Sequence, residues 1–188
     1  MADPPAPPPP TTTVVVMGVA GAGKTTVAME LVRRLGWDYA EGDGFHPTVN
    51  VEKMRSGRPL DDEDRWPWLR AIARWIHDHQ VARKNVIVTS SALRRAYRDL
   101  LRKDNPSVWF VHLNVPRDVL RDRLVQRRRH YMPASLLDSQ LDTLEPLQPD
   151  EPGTAIPGDV PPEIVVDHVL EALGRERPTT LATSQEAP

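Results

Sequence analysis

The sequence contains no cysteine, which excludes a disulfide framework and every cysteine-based zinc site. This composition fits a reducing compartment, so we expect a cytoplasmic protein. No apolar run approaches the ~20 residues that a membrane helix needs, and the N-terminus lacks the basic and then apolar layout of a signal peptide. We therefore expect a soluble chain that has no membrane partner.

The sequence also lacks an excess of one charge. Its formal net charge is −2, so no global basic field is present to hold nucleic acid, and we expect no nucleic-acid partner. Anionic ligands must instead be bound by local groups. A length of 188 residues suffices for one domain with a substantial core and is too short for two of ordinary size.

Both ends of the chain are poor in residues that form a core. Residues 1–12 begin with a proline-rich stretch and are predicted to be a disordered or polyproline II tail, with a ligand for a proline-binding groove as the less favoured alternative. Residues 175–188 are polar and aperiodic and are predicted to be a second disordered tail. A single domain over residues 13–174 remains.

A β-branched run at residues 14–16 leads into the pattern Gly-x-x-x-x-Gly-Lys-Thr, which predicts a phosphate-binding P-loop. Glycine leaves room for backbone N–H groups to face a polyphosphate, the lysine reaches the β- and γ-phosphates, and the threonine hydroxyl ligates Mg²⁺. A chance glycine-rich turn is the alternative, but the helical spacing of the apolar residues that follow argues against it. The predicted nucleotide-binding residues are Gly18, Gly21, Ala22, Gly23, Lys24, Thr25 and Thr26.

Strand and helix patterns alternate through the rest of the domain. After the first strand, strands are predicted at residues 37–40, 85–89, 108–114 and 153–156, and Pro157 limits the last to an edge or a short piece. Helices are predicted after the P-loop, near residues 49–54, from residues 61–65 onward, after Ser91, at residues 116–126, within residues 136–147 and at residues 161–173. This order predicts an α/β fold of three α/β/α layers with a mostly parallel five-stranded sheet. Together with the P-loop it is typical of a P-loop kinase fold, in which we expect a mobile lid at about residues 127–145.

Polar residues follow the predicted second strand. Ligands of open α/β sheets collect at the carboxyl ends of strands, so Asp43 is the first catalytic candidate, with a structural turn aspartate as the alternative. His46 and Lys53 lie further along and are candidates to face a substrate, although either residue alone is more often a surface residue. Arg65 follows an acidic helix start and is a further candidate.

Arginines follow two other predicted elements. Ser91 lies at the end of the third strand, and Arg94 and Arg98 come soon after it, where arginine suits the recognition of carboxylate or phosphate; solvated charge is the alternative. Residues 127–129 are three arginines at a helix end. In a P-loop kinase, a lid would bring Arg127 over the transferring phosphoryl group, whereas a solvated helix cap is the alternative.

Four segments together resemble the gluconate kinase family, and the match spans roughly residues 14–173. They are residues 18–26; the run from Glu41-Gly42-Asp43 through His46-Pro47 to Pro67-Trp68-Leu69; Ser91-Ala92-Leu93 with Tyr97-Arg98-Asp99; and Arg127-x-x-His130-Tyr131-Met132 with Ser139-Gln140 and Thr143-Leu144-Glu145.

The resemblance implies phosphorylation of D-gluconate by ATP and Mg²⁺, giving 6-phospho-D-gluconate for the pentose phosphate and Entner–Doudoroff routes, by a homodimer. By this likeness Asp43 orients or deprotonates the attacking hydroxyl, Arg127 is the lid arginine, and both are catalytic together with Lys24. The implied sugar-acid pocket, beyond Asp43 itself, consists of His46, Lys53, Arg65, Ser91, Arg94, Arg98 and His130.

Other functions remain open at this point. The fold also hosts kinases of other small polyol acids, of shikimate-like acceptors and of nucleoside monophosphates. A non-catalytic ATP-binding module or nucleotide switch is a different class, although the Asn-Lys-x-Asp signature of guanine recognition is missing. Nucleic-acid binding through the arginine run is the weakest alternative, because the chain as a whole is slightly acidic.

Overall fold

The computed structural model describes residues 11–126 and 134–176 of the chain. Its sheet has five strands in the order β2-β3-β1-β4-β5, and every neighbouring pair is parallel. The strands are β1 (Thr13–Met17), β2 (Asp38–Ala40), β3 (Val86–Ser90), β4 (Val108–Asn114) and β5 (Gly153–Pro157). The predicted parallel five-stranded sheet is confirmed.

Helices connect the strands and cover both faces of the sheet. They are α1 (Lys24–Leu35), α2 (Thr48–Arg55), α3 (Asp62–Val81), α4 (Arg95–Arg102), α5 (Arg117–Gln126), α6 (Ala134–Thr143) and α7 (Pro162–Glu176), with a short 3-10 helix at Gly42–Phe45. Parallel strands need such crossover connections, which explains the regular alternation. No helix of these two described stretches is long and apolar enough to cross a membrane.

The central strand β1 is buried on both faces. Val14 and Val16 contribute to the core on the side of α1 and α7, whereas Val15 and Met17 belong to the core under α3 and α4. Side chains alternate between the faces of a strand, so a continuous apolar run is what a doubly covered strand requires.

Helix ends follow local chemistry that the sequence displays. Asp61 caps α3, because its Oδ1 accepts the N–H of Asp64 at 3.0 Å and Asp64 Oδ2 accepts the N–H of Asp61 at 3.0 Å, which forms a capping box. Gly36 ends α1 in the left-handed conformation with φ of 66°, and its N–H donates to Val32 O at 2.8 Å.

The element boundaries differ slightly from those predicted. Strand β5 lies at the sheet edge, as Pro157 requires, because proline cannot donate to a further strand. Helix α7 extends to Glu176, so its last two residues lie in the predicted C-terminal tail. At the other end, Thr12 is buried, and its N–H donates to Asn85 Oδ1 at 2.8 Å.

Candidate active site

The P-loop connects β1 to α1 at the carboxyl end of the sheet. Gly18, Gly21 and Gly23 have φ angles of 144°, 83° and 94°, a region that glycine enters without steric cost. Helix α1 begins at Lys24, so the positive end of its dipole and its first N–H groups face the same space as the loop. Lys24 Nζ donates to Val19 O at 3.2 Å and lies at the mouth of the loop.

The segment after β2 lies beside the P-loop because Gly42 packs directly on β3. A side chain at position 42 would place its Cβ 1.9 Å from Thr89 O, so only glycine fits there. The N–H of Gly42 donates to Thr89 Oγ1 at 3.0 Å. This contact fixes the two flanking carboxylates, Glu41 and Asp43, at the carboxyl edge of the sheet.

Glu41 accepts hydrogen bonds from three hydroxyl groups. Its Oε2 accepts from Thr25 Oγ1 at 2.8 Å and from Tyr39 OH at 2.7 Å, and its Oε1 accepts from Thr89. Burial by itself raises the pKa of Glu41, but these hydrogen bonds and the charge of Lys24 together hold it below its ordinary value. Glu41 is therefore an anchored carboxylate in contact with the predicted Mg²⁺ ligand Thr25.

A main cavity of about 280 Å³ opens between the P-loop, the segment after β2 and α3. Eight of the predicted site residues line it: Gly21, Gly23, Lys24, Thr25, Asp43, His46, Arg65 and Ser91. They come from four separate parts of the chain, and the fold brings them together. The cavity thus combines cations with an exposed carboxylate beside a phosphate-binding loop.

Arg65 enters the main cavity from α3 and is only 9% exposed. Its Nε donates to Leu60 O at 3.3 Å, and its guanidinium lies 5.8 Å from the centre of the Tyr97 ring. Burial lowers the pKa of Arg65. Within the described stretches it forms no salt bridge, so this buried cation is suited to bind a ligand carboxylate.

Lys53 and Arg94 do not line the main cavity. Lys53 Nζ lies 3.0 Å from Asp61 Oδ2 and also contacts Asp64, and Arg94 Nη1 lies 2.8 Å from Asp62 Oδ2. Each cation is thus already paired with acidic residues at the start of α3.

The predicted substrate contact of Arg98 requires correction. Its side chain is completely buried and pairs with Glu151, whose side chain is equally buried. An arginine enclosed in this way cannot reach the main cavity. Its role is to hold the fold together. Arg127 and His130 lie outside the described residues.

A side cavity of about 320 Å³ lies on the other side of the P-loop, lined by Gly21, Ala22, Gly23, Thr26, Arg123, Val160 and neighbouring residues. Arg123 Nη2 donates to Gly158 O at 2.9 Å, and its Nη1 donates to Ala22 O at 3.4 Å. The two cavities share Gly21 and Gly23, so a nucleotide that lies along the loop can reach both. Of the predicted nucleotide residues in the described part, Gly18 lines neither cavity.

Three residues of this region were not predicted from the sequence as site residues: Glu41, Arg123 and Gln140. The signal for Glu41 was its place at the end of a strand next to Asp43, and the signal for Arg123 was its spacing of one helical turn from Arg127. The Oε1 atom of Gln140 accepts the N–H of Ala20 at 2.7 Å, although the two residues are 120 positions apart. No local sequence pattern predicts that contact.

Comparison with known proteins agrees with this geometry. Residues 14–147 match the model of a family described as an AAA domain. The gluconokinase of Gluconobacter oxydans is 48% identical over 154 residues, which cover 82% of this chain and 86% of that protein. The chain belongs to the gluconokinase family.

Two solved structures resemble this member of the gluconokinase family. A sugar kinase from Janibacter sp. HTCC2649 has a TM-score of 0.84 at 49% identity, and the match covers 88% of this chain and 95% of that protein's chain. A gluconokinase from Sinorhizobium meliloti has a TM-score of 0.78 at 41% identity, and the match covers 88% of this chain and 93% of that protein's chain. The protein is therefore a kinase with the P-loop kinase fold, as predicted.

Proposed function

We propose that this protein transfers the γ-phosphoryl group of ATP to the terminal hydroxyl of D-gluconate, giving 6-phospho-D-gluconate and ADP. The observation that carries the proposal is that Lys24, Asp43 and Arg65 line one cavity. A phosphate-binding lysine, a carboxylate for the reacting hydroxyl and a cation for the substrate carboxylate are the groups that this reaction requires.

Each of these three residues has its own role in the proposed reaction. The exposed carboxylate of Asp43 accepts the hydrogen bond of the attacking hydroxyl and orients its oxygen toward the phosphate. Lys24 and the first N–H groups of α1 hold the phosphate oxygens. Arg65 binds the carboxylate of gluconate, because it is buried and has no acidic partner within salt-bridge distance among the described residues.

Thr25 and Glu41 fit a site for Mg²⁺. Both supply oxygen atoms, and Thr25 Oγ1 lies 2.8 Å from Glu41 Oε2. Magnesium in nucleotide sites takes most of its ligands from phosphate and water, so one or two protein oxygens suffice. When bound, the ion neutralises charge on the β- and γ-phosphates. We assign Thr25 as its direct ligand and Glu41 as the group that orients Thr25.

The nucleotide base fits the side cavity. Its walls combine apolar side chains from α1 and α7 with the guanidinium of Arg123, which suits a flat aromatic ring. We infer that Arg127 approaches the γ-phosphate and that His130 approaches gluconate, because these residues match the family motif. The same likeness supports a mobile lid around them and a homodimer, and the lack of cysteine supports a cytoplasmic location.

A direct assay tests the proposal. The purified protein, ATP, Mg²⁺ and gluconate should yield 6-phospho-D-gluconate, detected by mass spectrometry, together with equimolar ADP. A panel of other sugar acids, shikimate and nucleoside monophosphates should react more slowly. Lys24→Met serves as the inactive control. Faster turnover of another acceptor would reassign the substrate, and ATP binding without turnover of any acceptor would support a binding module instead.

A further inference from the structure

The ring of His46 is held firmly at the wall of the main cavity. It stacks on Trp68 with the ring centres 4.3 Å apart and an angle of 14° between the planes. Trp68 is itself completely buried, and its Nε1 donates to Gly42 O at 2.7 Å. The stacking therefore fixes the plane of the imidazole, and the hydrogen bonds of its two nitrogens determine where its proton lies.

The neighbouring Asn50 determines where the proton lies. Asn50 is only 2% exposed, and its Nδ2 donates to the backbone oxygen of Asp64 at 2.8 Å. A backbone oxygen only accepts, so the NH₂ end of the amide must face it. The same NH₂ group lies 3.4 Å from His46 Nδ1 and presents its second hydrogen to that atom. Nδ1 must then carry a lone pair.

A neutral imidazole carries one N–H donor and one acceptor nitrogen. With Nδ1 as the acceptor, the proton of His46 lies on Nε2. We propose that Asn50 is a positioning residue that holds His46 as the Nε2–H tautomer, so that His46 donates a hydrogen bond from Nε2 to an oxygen of the acceptor in the main cavity. The identity of that acceptor rests on the proposed function.

This assignment gives His46 and Asp43 different roles in the proposed reaction. His46 cannot remove the proton of the reacting hydroxyl, because its lone pair faces Asn50. Asp43 is left as the proton acceptor. His46 and Arg65 both donate, which favours an acceptor rich in hydroxyl and carboxylate oxygens.

The surroundings of the ring keep His46 neutral. Burial is the main cause that lowers the pKa of His46 to about 4; Asp43 opposes it, and Arg65 adds to it. These two charged groups face the ring from the 3-10 helix and from α3. At neutral pH the single proton of the ring is therefore the one that Asn50 positions.

The variant Asn50→Asp tests the proposal through its pH dependence. A carboxylate beside Nδ1 raises the pKa of His46 and favours Nδ1–H in the neutral ring, so the variant loses its Nε2–H donor as pH rises through that raised pKa. The KM for gluconate should rise about tenfold between about pH 6 and pH 9, the size of one lost hydrogen bond, while the wild type stays nearly flat. In Asn50→Asp combined with His46→Gln, this additional rise should vanish. A parallel profile for Asn50→Asp and wild type would overturn the proposal.

A measurement on the wild type remains decisive if Asn50→Asp fails to fold. The ¹⁵N shifts of the ring nitrogens distinguish the tautomers, and comparison with His46→Gln identifies the signals of His46 among the six histidines. A protonated Nε2 and an unprotonated Nδ1 are expected, and a protonated Nδ1 would refute the assignment. Because this spectrum needs no substrate, it separates a failure here from a failure of the proposed function.

A comparison of two His46 variants tests whether the Nε2 donor contacts the acceptor. The amide nitrogen of glutamine can occupy the place of Nε2 and still donate. His46→Gln should therefore keep a lower KM for gluconate than His46→Ala, with similar KM values for ATP in both. Equal KM values for gluconate in the two variants would show that the Nε2 donor is not used.

Discussion

Arg98 and Glu151 form an ion pair that is closed off from solvent. Arg98 Nε lies 2.6 Å from Glu151 Oε1, and Arg98 Nη2 lies 2.9 Å from Glu151 Oε2. Arg98 Nη1 also donates to Leu93 O at 3.2 Å and to Glu145 O at 3.0 Å. The pair therefore joins three segments: α4, the loop that follows β3 and the segment that follows α6.

Arg98→Met should destabilise the fold strongly, because it leaves the Glu151 carboxylate buried without a partner. We expect a loss of about 3–5 kcal/mol in the free energy of unfolding, measured by urea denaturation. The double variant Arg98→Met with Glu151→Leu should recover part of this loss. Arg95→Met, which breaks the exposed pair with Asp150, is the matched control and should change little. A loss no larger than that of the control would contradict the role of the pair.

Asp43→Asn should abolish most turnover and leave ATP binding intact. The amide keeps the shape of the side chain but removes the negative charge that we propose orients the hydroxyl. We expect kcat to fall by ~10²–10⁴. Calorimetry should show an unchanged affinity for ATP. Asp38→Asn removes an exposed carboxylate that pairs with Lys84 and should keep wild-type turnover. Full activity of Asp43→Asn would remove Asp43 from the mechanism.

Arg65→Met should weaken gluconate binding selectively. A charged hydrogen bond contributes about 1.5–3 kcal/mol, so we expect the KM for gluconate to rise about 10- to 100-fold. The KM for ATP should stay within about threefold, because the proposed phosphate site is formed by the P-loop and not by Arg65. Arg58→Met removes an exposed arginine that bonds Ser56 and serves as the control. An equal rise in both KM values would point to a general distortion instead.

Glu41→Gln should raise the concentration of Mg²⁺ that the reaction needs. Glu41 contacts Thr25, the proposed metal ligand, and loss of such a supporting group typically weakens metal binding about 10- to 100-fold. The measurement is a titration of kcat against free Mg²⁺ at saturating ATP and gluconate. Glu52→Gln, on the exposed side of α2, should leave the titration curve unchanged. Identical curves for Glu41→Gln and wild type would exclude this role.

Acidification should destabilise the protein partly through His46. Burial lowers the pKa of His46 from its ordinary 6.5 to about 4 in the folded state. Between these values the unfolded chain binds a proton that the folded chain does not, so the free energy of unfolding decreases as pH falls. His46→Gln should show a shallower decrease in urea midpoints over this range. An unchanged slope would contradict the lowered pKa.

The sequence predicted the architecture because its signals are local. The β-branched strand before Gly18, the helical spacing after Gly23 and the proline that confines β5 to an edge are all readable within a few residues. The same holds for the cap at Asp61, where two carboxylates three positions apart satisfy each other.

The tertiary structure decided which charges remain available to a ligand. The sequence gives the same candidate role, binding of the substrate, to Arg65, Arg94 and Arg98. In the structure Arg94 pairs with Asp62, Arg98 is buried against Glu151, and Arg65 lines the main cavity. Arg98 and Glu151 are 53 positions apart, so no local pattern could have paired them.

The sequence by itself therefore determined the P-loop, the strand and helix order and the family, since backbone propensity and side-chain periodicity act over short distances. Only the folded chain decided the contacts of Thr25 with Glu41, of Ala20 with Gln140 and of His46 with Asn50 and Trp68. The physical reason is that neutralisation, burial and the direction of a hydrogen bond depend on which distant segments the sheet brings to its carboxyl edge.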